Sequence, residues 1–226
     1  MKLPRVTFET SEKLSIGILP LVETNVSGSL PDFQEFEASI FNEIRLKFND
    51  LDSLSNYSPF RSYRDLYWRH GMDPTKIRVS SEALVRRILK RENLWRISNI
   101  VDTANLASAY HSLPIGLIDS AYLKGNLSVR TAERGEVFER IGGKSIICRG
   151  REIVLADADK IVCFGFASYD SQKTRVRENS RDILLLIYGA PVVSETSMND
   201  AMEKTKMIIE QWVECEFGRL AFYFNE

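Results

Sequence analysis

The sequence predicts a single α+β domain spanning residues 1–226. Three observations carry that expectation. Apolar residues recur at helical spacing in two stretches, 31–48 and 80–91. Short apolar runs separated by glycine-bearing connections occupy residues 127–190. No internal repeat, low-complexity tract or long linker divides the chain. A 226-residue chain with 44% hydrophobic content can bury a core without disulfides or metals.

Taken in order, "RVTFET" and "LSIGILPLVET" read as strands, the second a buried run holding Ile16, Ile18, Leu19 and Leu21. Asn25 to Pro31 is turn-rich. The segment "PDFQEFEASIFNEIRLKF" then places Phe33, Phe36, Ile40, Phe41, Ile44 and Phe48 on one helical face, with Pro31 near the start. Residues 60–78 carry five Arg or Lys interleaved with Tyr63, Tyr67 and Trp68. "SSEALVRRILKR" starts a helix at Ser80 or Ser81, with Glu82 near its N-terminus and Leu84, Val85, Ile88 and Leu89 on the apolar face. "VDTANLASAYH" reads as a further helix whose small residues Ala104, Ala107 and Ser108 permit close packing, followed by a turn at Pro114-Ile115-Gly116. Next come the short strands "LSVRTA", "VFERIGG", "SIICRG", "REIVLADA", "KIVCFGFASYD" and "DILLLIYGAP". A last helix covers "SMNDAMEKTKMIIEQWVECEF", for which Ser197 is the expected N-cap with Asp200 as a capping-box partner.

A formal net charge of -1 argues against a general nucleic-acid binder, and DNA in particular, while leaving room for a local basic face. No run of about eighteen apolar residues suits a membrane span, and "MKLPRVTFET" lacks the apolar core of a signal peptide. Cys148, Cys163 and Cys215 are widely spaced and odd in number, so free thiols in a reducing compartment, the cytoplasm, are expected. Two isolated histidines and scattered cysteines match no zinc spacing. No phosphate-cradling glycine motif and no GxSxG elbow occurs. Neither a metal nor a cofactor is therefore expected.

The remaining chemistry is local. His111 could act as a general base near neutral pH, or simply satisfy groups at a helix end. His70 reads as a turn or helix-end residue. Arg61, Arg64 and Lys76, with Arg86 and Arg87 on the next helix, could grip an RNA backbone while the aromatics stack on bases; the alternative is a solvated face with its rings turned inward. Arg78 offers a planar fork for a carboxylate or phosphate. Ser168, Asp170, Ser171, Lys173 and Thr174 form a polar cluster able to bind a ligand or orient a water, or a plain hairpin turn.

Four blocks resemble a known family. "ISNIVDTANLASAYHSLPIGLID", "VRTAERGEVFERIGGKS" and "IVLADADKIVCFGFASYDSQKTRV" resemble the B3/B4 module of the bacterial phenylalanyl-tRNA synthetase beta subunit. "GMDPTKIRVSSEALVRRIL" resembles the free-standing B3/4 domain proteins, with Val79 where their proline is usual. The resemblance covers roughly residues 60–190 and implies a three-layer fold of mixed β-sheets with helices packed on one side. In the synthetase this module is the editing site, which removes tyrosine wrongly attached to the phenylalanine tRNA.

Carried over by position, the resemblance assigns substrate contact to Asn105, Gly116, Asp119 and Gly165, with Arg78, Ser171 and Thr174 as further members. Ala104 stands in place of the module's threonine, Gly116 in place of its editing histidine, and Leu185 or Leu186 in place of its glutamate. Asp170, Ser171 and His111 are left as catalytic candidates. The implied function is a stand-alone module that binds aminoacyl-tRNA, an editing deacylase of mischarged tRNA in its enzymatic form. Two other classes stay open: a non-catalytic module for an amino-acid-like ligand, and a small-molecule hydrolase on the same scaffold.

Overall fold

The computed structural model describes residues 1–225. Strands β1 (Val6–Phe8) and β2 (Ser15–Val22) lead into helices α1 (Phe33–Lys47), α2 (Ser58–Arg69), α3 (Ser80–Leu89) and α4 (Asn99–His111). Strands β3 (Ile115–Asp119), β4 (Leu127–Thr131), β5 (Arg134–Glu139), β6 (Ser145–Arg149), β7 (Ile153–Ala156), β8 (Ile161–Phe164), β9 (Tyr169–Asp170) and β10 (Ile183–Gly189) follow. Helix α5 (Glu195–Trp212) and strands β11 (Glu216–Phe217) and β12 (Ala221–Phe224) complete an α+β architecture.

One sheet runs β1-β4-β7-β8-β9 and a second runs β11-β2-β10-β3, with β12 also paired to β2; β5 and β6 form a separate hairpin. The second sheet is the middle layer, and the period-2 alternation of strands shows it. Leu184, Leu186 and Tyr188 of β10 join an inner cluster with Val129, Leu155 and Phe164 of the first sheet. Ile183, Leu185 and Ile187 join an outer cluster with Ile100 of α4 and Met198, Met202 and Ile209 of α5. Because both faces of β10 are covered, its seven residues are all buried and its sequence is continuously apolar. Helices α1, α2 and α3 feed the inner cluster through residues such as Phe41, Tyr63 and Val85.

Several local expectations change. The basic-aromatic stretch is mostly helix α2, in which Tyr63 and Tyr67 are core residues and Trp68 stays 58% exposed. Tyr63 donates its hydroxyl to the Tyr188 carbonyl, so it serves the fold rather than a base stack. Helix α5 begins earlier than expected: Ser194, not Ser197, caps it by accepting from the Ser197 N–H. The Val193 N–H to Ala190 carbonyl turn brings Ser194 into cap geometry first. Gly116 is not in a turn. It lies in β3, paired with Leu186, and the reversal is made instead by Ser112 at φ 68. "KIVCFGFASYD" is two strands, because Gly165, Phe166 and Ala167 all take positive φ.

Candidate functional site

A cavity of about 140 Å3 opens between α4, β3 and the loop 171–182. Its polar lining is Asn105, Asp170 and Arg175, and aliphatic side chains make up the rest. Four segments build it, residues 97–105, 115–117, 141 and 170–176. Ser98 caps α4 by accepting from the Val101 N–H, which sets the phase that turns Val101, Ala104 and Asn105 to the cavity. Strand β3 supplies Ile115 and Leu117, and β9 brings Asp170 across from Cys163.

Asp170 is the unusual group. Its carboxylate accepts one hydrogen bond, from the Leu117 N–H at 3.4 Å. Burial pushes its pKa up to about 7; the Leu117 N–H and the neighbouring Cys163 thiol offset only part of that. Among the described residues no cation lies within ion-pair distance of it. The Asn105 amide, on the facing helix, makes no hydrogen bond among the described residues and is available to a ligand.

Gly116 backs this arrangement. A Cβ there would lie 2.8 Å from the Tyr188 hydroxyl and 3.1 Å from Asp170 Oδ1, so only glycine leaves both groups in place. The Tyr188 hydroxyl is buried with no hydrogen-bond partner among the described residues, and burial raises its pKa well above the ordinary value. Sequence reading passed over Tyr188. The available signal was a lone phenol in the otherwise apolar run "ILLLIYGAP".

The other expected substrate contacts do not line the cavity. Asp119 accepts from Ser180 Oγ and the Ala121 N–H, and its own N–H donates to the Thr174 carbonyl. It therefore ties down the loop that carries Arg175 and Val176 to the cavity. Ser171 accepts from the Lys173 N–H and shapes the same loop, and Thr174 is buried. Gly165 faces Ser168, whose hydroxyl bonds to Tyr67 in the core. Arg78 lies apart, its Nε buried with no hydrogen-bond partner among the described residues.

His111 points elsewhere. Its Nδ1 accepts from the Leu113 N–H, which leaves the Nε2 proton to donate to Thr205 Oγ1. Burial, reinforced by Lys204 and Lys47, pushes its pKa down to about 3, so it is neutral and held in the fold. It borders a separate cavity of about 490 Å3 with those two lysines.

The expected RNA-gripping cations are each engaged by the chain's own acids. Arg61 pairs with Asp65, Arg64 and Arg86 with Glu82, Lys76 with Asp73 and Arg87 with Glu92. Arg64 grips the buried Glu82 through two nitrogens. The stretch is thus partly compensated in charge, with Arg64 and Arg86 sharing the one Glu82. Among the described residues no group of three or more His, Cys, Asp or Glu is placed to hold a metal ion, and no helix is long and apolar enough to cross a membrane.

The family model for the B3/4 domain matches residues 62–206, well over half the chain. The phenylalanine–tRNA ligase beta subunit of Protochlamydia amoebophila (strain UWE25) is 29% identical over 111 residues, 49% of this chain and 14% of that subunit. The corresponding subunit of Fusobacterium nucleatum is 26% identical over 110 residues, again 49% of this chain and 14% of the relative. The chain thus matches a small part of the length of these relatives. The crystal structure of an N-terminal fragment of the phenylalanyl-tRNA synthetase beta-subunit from Pyrococcus horikoshii aligns with a TM-score of 0.38 at 13% identity, covering 47% of this chain and 40% of that one.

Proposed function

The chain belongs to the B3/4 domain family, and from that premise we propose that it takes the aminoacyl end of a tRNA into the Asp170 cavity and hydrolyses the ester of a mischarged amino acid. One observation carries the reading: a carboxyl with a pKa near 7 stands on the cavity wall with no counter-ion among the described residues, opposite an unengaged amide. A group that titrates at the working pH is the most effective general base.

Asp170 accepts a proton from the attacking water. The water oxygen bonds to the ester carbonyl carbon, and the Asn105 amide donates to the carbonyl oxygen as it gains charge. The carbon–oxygen bond to the ribose then breaks, and Asp170 returns its proton to the departing ribose hydroxyl. Arg175, at the mouth, suits a backbone phosphate of the acceptor end.

The test is deacylation of a panel of correctly and wrongly charged tRNAs by the purified chain. Acceleration for at least one pairing is expected, with Asp170→Asn lowering it about 100-fold or more. Binding of charged tRNA without hydrolysis would favour the non-catalytic reading. Rates equal to buffer for every tRNA, with no binding, would sink the proposal.

A further inference from the structure

We infer that the Asp170 cavity selects small branched aliphatic aminoacyl groups, of valyl or isoleucyl size, and excludes tyrosyl and phenylalanyl groups. This rests on the reading above and names its substrate class.

The walls carry the argument. Ile97, Val101, Ala104, Ile115, Leu117 and Val176 surround the space, with Ile141 at its edge. Among the described residues no aromatic ring and no Ser, Thr or Tyr hydroxyl lines it. Asn105, Asp170 and Arg175 are committed by that reading to the ester and the phosphate, so a phenol hydroxyl taken to the apolar wall would lose its hydration with no free partner, a penalty an alkyl group escapes.

Size points the same way. Benzene occupies an engineered apolar cavity of about 150 Å3. The space here is about 140 Å3 and must also admit the ester carbonyl beside Asp170 and Asn105. A branched alkyl side chain fits within that volume; a benzyl or hydroxybenzyl group with its carbonyl does not. Expansion is resisted, because Val101 and Ala104 stand on a capped helix and Ile115 and Leu117 on a strand paired along its length with β10. The loop that carries Arg175 and Val176 is tied at both ends by Asp119, through the Thr174 carbonyl and Ser180.

The chemistry is that of one methyl-sized fit, where discrimination in an apolar pocket is modest per group but accumulates over a ring. Ile141 is the adjustable edge. It is 49% exposed and sits on the turn after β5, so truncating it widens the mouth without touching the core.

The experiment measures equilibrium binding of two non-hydrolysable probes to the whole chain, 3′-valylamido-3′-deoxyadenosine and its tyrosyl counterpart. Deacylation of valyl-, isoleucyl-, phenylalanyl- and tyrosyl-tRNA is measured alongside. The valyl probe should bind ten-fold or more tighter, and the aliphatic esters should be cleaved faster by a similar factor. In Ile141→Ala the ratio should shrink at least three-fold. Equal or tighter binding of the tyrosyl probe overturns the selectivity while leaving a deacylase reading intact wherever an Asp170-dependent rate survives. An unchanged ratio in Ile141→Ala overturns the assignment of selectivity to this chamber. Binding of neither probe, with no cleavage of any tRNA, removes the site and the reading together.

Discussion

Replacing Asp170 by Asn should change the pH dependence of stability in a defined direction. In the folded chain Asp170 keeps its proton up to about pH 7, whereas an unfolded aspartate releases it near 3.8. Between those values the folded state binds the extra proton, so this group makes stability fall as pH rises. The displacement corresponds to a ceiling of about 4 kcal/mol, fully felt above pH 7. His111 acts in the opposite sense: its folded pKa of about 3 lies below the ordinary 6.5. Its stabilising contribution is complete above 6.5 and is lost as pH falls. In wild type the two slopes oppose each other from about pH 5 to 6.5, each about 1.4 kcal/mol per pH unit. Asp170→Asn removes only the descending one. The stability difference between variant and wild type should therefore climb by about 2 kcal/mol across that window. Urea denaturation followed by tryptophan fluorescence at closely spaced pH values measures it. A difference that stays flat with pH would show that Asp170 titrates normally and would refute the argument for it as a base.

Other perturbations follow from the same geometry. His111→Gln should leave deacylation unchanged and give a stability that falls with pH over the window where wild type is level, read by the same titration. Arg64→Ala strands the buried Glu82 with only the more distant Arg86, and should cost about 3 kcal/mol in urea denaturation, whereas the exposed Arg61→Ala should cost under about 0.5 kcal/mol. Gly116→Ala drives a methyl into Tyr188 and Asp170 and should destabilise by about 1–3 kcal/mol, visible as a lowered melting temperature. Asp119→Ala should weaken ligand binding although the residue lies off the cavity, with faster amide exchange across 174–180 as the accompanying sign.

The sequence by itself determined the class of the fold and most of its elements. Helical spacing of Phe33, Ile40, Phe41 and Ile44 marks α1, and the unbroken run "ILLLIYG" marks a strand covered on both sides; periodicity reports burial directly, so these were legible. Ordered family-like blocks pointed to the module that matches residues 62–206. Strand β3 was missed, because a five-residue strand after a helix and a proline has too short a pattern to separate from a turn.

What only the tertiary structure decided was which polar groups meet. Asn105 on α4 and Asp170 on β9 share a cavity because the β3–β10 and β8–β9 registers bring their elements together. Asp119, in the same sequence block as Asn105, instead anchors a loop. The cations of α2 and α3 looked free until the fold set Glu82 beside Arg64 and Arg86. Burial is a local property that leaves a period in the sequence, whereas convergence depends on long-range register and leaves none.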